Sequence, residues 1–151
     1  MGKSTLIAVG HKREIMDSVG HGLKKDIEEL GLARVKNVLS AQLYRLEGDL
    51  ARGDSERISR DLLCDPILQE CQDHMAPKSL VVDIWFKAGV TDVVGDSVLK
   101  GIADLGIKGV SQVRTGMRYA FEGVTKRDVA ERIASALLVN PLVHESTIHA
   151  D

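Results

Sequence analysis

Cysteine, proline and aromatic residues are scarce in this chain, and it has no long apolar run. It contains two cysteines, three prolines, one tryptophan, two tyrosines and two phenylalanines in 151 positions. Two cysteines are too few for a disulfide scaffold, which a chain of this length does not need, so we expect reduced thiols. No run of about 18 apolar residues occurs, and the first residues lack a signal-peptide profile. A cytoplasmic protein is therefore expected.

An excess of either charge is also missing. Lysine plus arginine number 20 and aspartate plus glutamate 22, which gives a formal net charge of −2. This balance argues against bulk binding to nucleic acid or to a membrane surface. The apolar fraction of 44% is ordinary, and the chain is long enough to bury a hydrophobic core. The composition therefore indicates a globular protein.

The sequence repeats itself at an offset of 75 residues. Residues 3–76 align with 78–151 without a gap, and more than 20 pairs are identical. Chance, at typical residue frequencies of about 6%, would give roughly four or five. The identical pairs include Asp17/Asp92, Gly20/Gly95, Tyr44/Tyr119 and Pro66/Pro141. We therefore predict two units of similar fold, residues 1–75 and 76–151, joined by a short link at 73–78.

Each unit is predicted to begin with a strand and a helix. In the second unit, apolar and polar residues alternate over 80–87, which is typical of a strand. A helix should follow, with Asp92 as its N-cap and Gly106 as its left-handed end. Gly95 lies in the first turn, where glycine costs about 1 kcal/mol, so we expect close approach of helix and sheet. The first unit repeats this pattern with Asp17, Gly20 and Gly31.

One or two strands, a second helix and a short strand are predicted to complete each unit. Gly116 is placed to allow a bend between strand pieces 110–113 and 117–121. The second helix is expected over about 125–138, with Thr125 and Asp128 as a capping box. The predicted order is β-α-β(β)-α-β, twice. The fold class is therefore α+β, each unit being a mainly antiparallel sheet with two helices on one face.

The sheet face opposite the helices also carries apolar residues, namely Leu6, Ala8, Val81 and Trp85. Such a patch would be exposed unless something covers it, and the other unit is the nearest cover. We therefore expect the two sheets to pack face to face as a pseudo-dimer. Two independent units on a string are the alternative.

Three segments of the second unit carry a family resemblance: KAGVTDVVG at 87–95, VSQVRTG at 110–116 and LLVNP at 137–141. Their order and spacing resemble the K-P-G-V-x-D-x-x-G, V-x-x-V-R-x-G and L-L-A-N-P patterns of PurS. PurS is the small subunit of phosphoribosylformylglycinamidine (FGAM) synthase. The first unit departs more, with KREI at 12–15 and VLSA at 38–41. A tandem pair is also similar to the N-terminal region of some fused PurL synthases.

The resemblance implies a bridging role without catalysis of its own. In that synthase of purine biosynthesis, PurL carries out the ATP chemistry and PurQ hydrolyses glutamine. PurS-like units bridge the two so that ammonia passes between them. The resemblance thus implies PurL-like and PurQ-like partners, and we expect no cofactor. Self-association is left open, as is whether the chain belongs to a longer fused synthase.

The candidate binding residues are four cations, Lys12, Lys87, Arg114 and Arg118. The predicted elements place them at strand ends or on loops, where they could meet an acidic partner surface or a phosphate. Solvated surface charge is the alternative interpretation. Five further residues are expected to serve structure: Asp17, Gly20, Asp92, Gly95 and Gly116.

No catalytic or metal site is predicted. Cys64, Cys71 and His74 match no standard zinc spacing, and Cys64 aligns with Val139, so a buried structural cysteine is expected. The segment GKST at 2–5 lacks the upstream glycine and following helix of a P-loop. A second hypothesis for function is a stand-alone regulatory module that binds a small molecule between the units.

Overall fold

The computed structural model describes residues 3–12, 15–71 and 80–150. The predicted link with its boundary at 75/76, His74, Gly2 and the middle of the KREI segment lie outside the described residues. The strands are β1 (Ser4–His11), β2 (Asn37–Gly48), β3 (Gln69–Cys71), β4 (Leu80–Phe86), β5 (Val110–Glu122) and β6 (His144–Ala150). The helices are α1 (Ser18–Glu29), α2 (Asp54–Ile58), α3 (Val93–Asp104) and α4 (Arg127–Ile133). Within these ranges, no helix is long and apolar enough to span a membrane.

The six strands form one antiparallel sheet in the order β3-β1-β2-β5-β4-β6. The expectation that two sheets pack face to face is therefore wrong. The halves join edge to edge, because the long strands β2 and β5 satisfy each other's main-chain hydrogen bonds. In this pairing Gln42 lies opposite Met117, the residue 75 positions later. The register thus has the symmetry of a twofold axis between these two residues.

All four helices lie on one face of the sheet, as expected for each unit. The residues beneath them are paired across the central strands, Val38 with Phe121 and Leu46 with Val113. One buried cluster contains Ile27 of α1 and Ile133 of α4, and another contains Ile58 of α2 and Ile102 of α3. Because each cluster combines helices from both halves, the two halves share their cores and do not form independent units.

The helix starts follow the predicted caps. Asp17 accepts a hydrogen bond from the N–H of Gly20 at 2.8 Å, and Asp92 does so from Gly95 at 2.8 Å. Each carboxylate also bonds the facing strand: Asp17 accepts from the N–H and hydroxyl of Ser40, and Asp92 from those of Thr115. One side chain therefore caps the helix and fastens it to the sheet.

The second helix of each half differs from its prediction. α4 begins at Arg127, with Lys126 as a cap that makes no side-chain hydrogen bond, so the capping box of Thr125 and Asp128 is wrong. Both α2 and α4 then widen into a single π-helical turn, Ser59–Leu63 and Ala134–Leu138. These turns lie 75 residues apart.

Gly116 does not mark a bend, because β5 runs without interruption from Val110 to Glu122. A Cβ atom at this position would lie 2.5 Å from the carbonyl oxygen of Ile84 and 2.8 Å from the ring of Trp85. The glycine therefore leaves room for the indole on the face opposite the helices. There the guanidinium of Arg45 lies 4.4 Å from the ring centroid of Trp85, a cation–π contact.

Candidate interaction site

The three segments 87–95, 110–116 and 137–141 meet at the end of the sheet where β4 finishes at Phe86. Arg114 donates from Nη2 to the carbonyl oxygen of Phe86 at 2.8 Å. Lys87, the next residue, donates from Nζ to the carbonyl oxygen of Pro141 at 2.6 Å. Its N–H also bonds the carbonyl oxygen of Val143 at 2.8 Å. We call Lys87, Arg114, Asn140, Pro141 and Glu145 the motif end.

The motif end combines two cations with one carboxylate. Nη2 of Arg114 lies 3.6 Å from Oε1 of Glu145, and a quarter of the arginine side chain is exposed. The carbonyl oxygens of Phe86 and Pro141 hold both cationic groups in place through hydrogen bonds. The excess of positive charge among these side chains suits an acidic surface or an anionic group.

A polar turn at Asn140 forms part of the motif end. The side-chain oxygen of Asn140 accepts from the N–H of Leu142 at 3.1 Å, and the N–H of Asn140 donates to Nδ1 of His144 at 3.1 Å. The π-helical turn ends at Leu138, shortly before Pro141, which cannot continue a helix. This geometry explains why an Asn-Pro pair terminates the second helix.

The first half builds the same turn from different residues. Asp65 accepts from the N–H of Ile67 at 2.8 Å and donates its own N–H to the side chain of Gln69 at 3.0 Å. Lys12 bonds the carbonyl oxygen of Leu68 through its N–H, as Lys87 bonds Val143. Leu39 stands at the position equivalent to Arg114. The strand ends beside Lys12 and Lys87 therefore share a turn but differ in charge.

Arg118 lies far from the strand end where it was expected. It is in the middle of β5, where Nε and Nη2 bond the two carboxylate oxygens of Asp83 at 2.7 and 2.8 Å. Only 8% of the Arg118 side chain and 9% of that of Asp83 are exposed. Nε2 of His149 lies 2.9 Å from Oδ2 of the same carboxylate. The surface placement of Arg118 was therefore wrong, because a buried carboxylate holds it inside.

Asp83 was missed as its partner, although the sequence carried a signal. It is the one charged residue in the strand LVVDIWF, and buried charges need partners. In the first half, Ala8 and Leu43 stand at the positions of Asp83 and Arg118. Ala8 and Leu43 form a small buried cluster with Trp85 instead. At these two equivalent positions the face opposite the helices is therefore apolar in the first half and ionic in the second.

A cavity of about 480 Å³ lies in the first half between β1 and the α2 segment. Its walls include Cys64, which is half-buried rather than buried as expected, and the exposed Cys71. Burial, and next the neighbouring Cys71, raise the pKa of the Cys64 thiol from 9.0 to about 11. Among the described residues, no group of three or more side chains is suited to bind a metal.

Alkylation should reveal the raised pKa of Cys64. In the variant Cys71→Ser, where Cys64 is the remaining thiol, burial continues to disfavour the thiolate. The iodoacetamide rate should therefore still be rising above pH 9, since the thiolate is the nucleophile. Unfolding in urea should return the pKa of the Cys64 thiol to its ordinary value of about 9.0. A rate that levels off below pH 9 in the folded variant would contradict the expectation.

These features define a class of protein. The chain is a two-layer α+β protein whose halves share one antiparallel sheet, and each half carries a polar turn beside a lysine. A family model described as PurS: Phosphoribosylformylglycinamidine (FGAM) synthase matches residues 79–151. The match supports a PurS-family unit at residues 79–151. A search of curated proteins gives no match.

The family match has a functional consequence. It points to a role related to FGAM synthase in purine biosynthesis, and it implies association with components of that synthase. All five residues of the motif end lie inside the matched range, residues 79–151.

Proposed function

We propose that the chain is a non-catalytic component of FGAM synthase that bridges a PurL-like synthase and a PurQ-like glutaminase, so that ammonia passes between them. In this proposal residues 1–75 and 76–151 are two PurS-like units of one pseudo-dimer, which acts in the cytoplasm. The observation that carries it is the convergence of Lys87, Arg114 and the Asn140–Pro141 turn within the matched PurS half.

The sheet topology supports a bridge. Successive strands β1, β2, β5 and β4 are antiparallel, so β1 and β4 run in opposite directions. The strand ends that carry Lys12 and Lys87 therefore lie at opposite ends of one sheet. The two edges share a turn but differ at Leu39 and Arg114, which suits contacts with two different proteins.

Reconstitution tests the proposal. FGAM synthesis would be measured with a PurL-like synthase and a PurQ-like glutaminase, with and without this chain, from glutamine and separately from ammonium. We expect glutamine-dependent synthesis to require the chain and ammonium-dependent synthesis to need it much less. Equal glutamine-dependent rates with and without the chain would refute the bridging role.

Replacing Arg114 by leucine, the residue of the first half, should weaken partner binding without unfolding the chain. Loss of a charge-assisted contact costs about 1.5–3 kcal/mol, so we expect roughly tenfold or greater loss of affinity. Lys87→Ala should act in the same direction. Binding would be measured by titration of the PurL-like and PurQ-like proteins separately.

The matched control for these variants is Lys100→Ala, which removes an exposed cation from the outer face of α3. Its affinity for both partners should remain within about twofold of the parent. If Arg114→Leu and Lys87→Ala behave like this control towards both partners, the motif end is not a contact surface.

A regulatory module that binds a small molecule is the second candidate. The observation in its favour is a cavity of about 800 Å³ beyond the end of α1, which is lined by Glu28, Gly31, Arg34, Lys36 and, from the other half, Gly123. Thermal-shift measurements with amino acids and nucleotides distinguish the two candidates. A ligand that stabilises the chain, with no binding to a PurL-like protein, would favour the regulator.

A further inference from the structure

The two halves differ at the outer edges of β1 and β4. Strand β6 pairs with β4 along its whole length, from Leu80 to Phe86. Strand β3 pairs with β1 over Val9–His11, and among the described residues no other strand pairs with that edge of β1. Over residues 4–8 the outer edge of β1 thus has no strand partner within the described part of the chain.

The direction of the main-chain groups follows from the hydrogen bonds at either end. Lys12 donates its N–H to Leu68 on the outer edge, and the carbonyl oxygen of Lys3 faces β2, where it accepts from Gly48. Because neighbouring residues of an antiparallel strand alternate between its two edges, the N–H and C=O groups of Leu6 and Ala8 point outward. Unpaired groups of this kind are a template for a further strand.

The second half shows what such an edge receives. Ile148 of β6 lies opposite Val82, is 9% exposed, and belongs to the same buried cluster as Ala130 and Ala134. An isoleucine therefore fills the space between the edge strand and the second helix. Small residues of that helix leave the room for it.

The first half has that room as a cavity. The positions equivalent to Val82, Ala130 and Ala134 are Ile7, Ser55 and Ser59, and all three line the cavity of about 480 Å³. Glu56 and Arg60 add charged groups to the lining. Leu6, on the other face of the edge, is 42% exposed. The cavity thus has an apolar wall, small polar residues and a main-chain edge side by side.

We propose that this edge and cavity bind an extended segment of another protein. The segment pairs antiparallel with β1 through Leu6 and Ala8, and places an isoleucine, valine or leucine opposite Ile7. Small polar residues precede that side chain, as Ser146 and Thr147 precede Ile148 in β6. This is strand addition, in which main-chain bonds give affinity and one pocket gives selectivity. It uses residues apart from the motif end and does not depend on the proposed function.

The test uses the full chain and an end-blocked peptide with the sequence of residues 144–150, HESTIHA. We expect saturable binding and at least tenfold slower hydrogen exchange at the amides of Leu6 and Ala8. The peptide with aspartate in place of its isoleucine should bind at least tenfold more weakly. Ser59→Trp, which fills the cavity, should abolish binding, whereas the control Ser135→Trp on the exposed side of the other π-helical turn should not.

Four outcomes would overturn the proposal. They are absence of saturable binding, equal binding of the aspartate peptide, binding that survives Ser59→Trp, and protection of Leu6 and Ala8 without peptide. Protection that is independent of protein concentration means that the chain covers its own edge. Protection that grows with concentration means that a second copy does. The peptide comparison needs no protein variant, so misfolding of Ser59→Trp would not leave the question open.

Discussion

Gly20→Ala is expected to lower the free energy of unfolding by about 3 kcal/mol or more, because it forces atoms into an overpacked site. An added Cβ would lie 2.0 Å from the carbonyl oxygen of Val38 and 2.9 Å from its carbonyl carbon. Those are backbone atoms of the central strand β2, which cannot turn aside as a side chain can. The helix would have to leave the strand, and the bonds from Asp17 to Gly20 and Ser40 would lengthen.

The control for this variant lies two residues away in the same helix. A Cβ added at Gly22 meets nothing within 4 Å. Gly22→Ala should therefore stabilise the protein by about 0.5–1 kcal/mol, since alanine is the better helix former. Urea unfolding followed by circular dichroism measures both changes. Equal midpoints for the two variants would show that helix propensity, and not contact with Val38, governs Gly20.

Breaking the ion pair between Asp83 and Arg118 is the second large effect. We expect either Asp83→Ala or Arg118→Leu alone to cost about 3–5 kcal/mol, because each removes one partner of a buried, doubly hydrogen-bonded pair. Such a loss is a large part of the stability of a domain, which is commonly 5–15 kcal/mol. Urea unfolding of the two single variants gives the measurement.

The double variant decides why the single variants are costly. With Ala at 83 and Leu at 118, the second half carries the pair that the first half has at Ala8 and Leu43. A buried ion pair can be replaced by apolar residues at little cost. We therefore expect the double variant to regain most of the loss, to within about 1 kcal/mol of the parent. Additive losses would show that Asp83 and Arg118 act through separate contacts.

Local chemistry is what could be predicted from the sequence. An aspartate before a helical pattern, with glycine three residues on, predicts the caps at Asp17 and Asp92, and both are confirmed. Glycines after the last helical turns predict left-handed ends, and Gly31 and Gly106 have φ angles of 68° and 80°. These features depend on residues within one turn of each other, so a sequence pattern suffices. The same holds for α+β as the fold class.

Contacts between distant strands could not be predicted in the same way. The sequence identifies Lys87 and Arg114 as candidate cations, but their hydrogen bonds to Pro141 and Phe86 depend on the register of β4, β5 and β6. Arg118 was placed at a strand end because periodicity divided β5 at Gly116. The pattern of alternation cannot distinguish a glycine that bends a strand from one that admits a neighbouring indole.

The amino-acid sequence by itself determined the element order, the caps of α1 and α3, the close approach at Gly20 and Gly95, and the resemblance of the second half to PurS. Only the tertiary structure decided that the halves share one sheet through β2 and β5, and that Asp83 holds Arg118 inside. The reason is physical. Caps and turns are stabilised by neighbours along the chain, so a sequence pattern predicts them. An apolar sheet face and an unpaired strand edge both need cover from distant residues. Only the tertiary structure shows that the other half covers the strand edge.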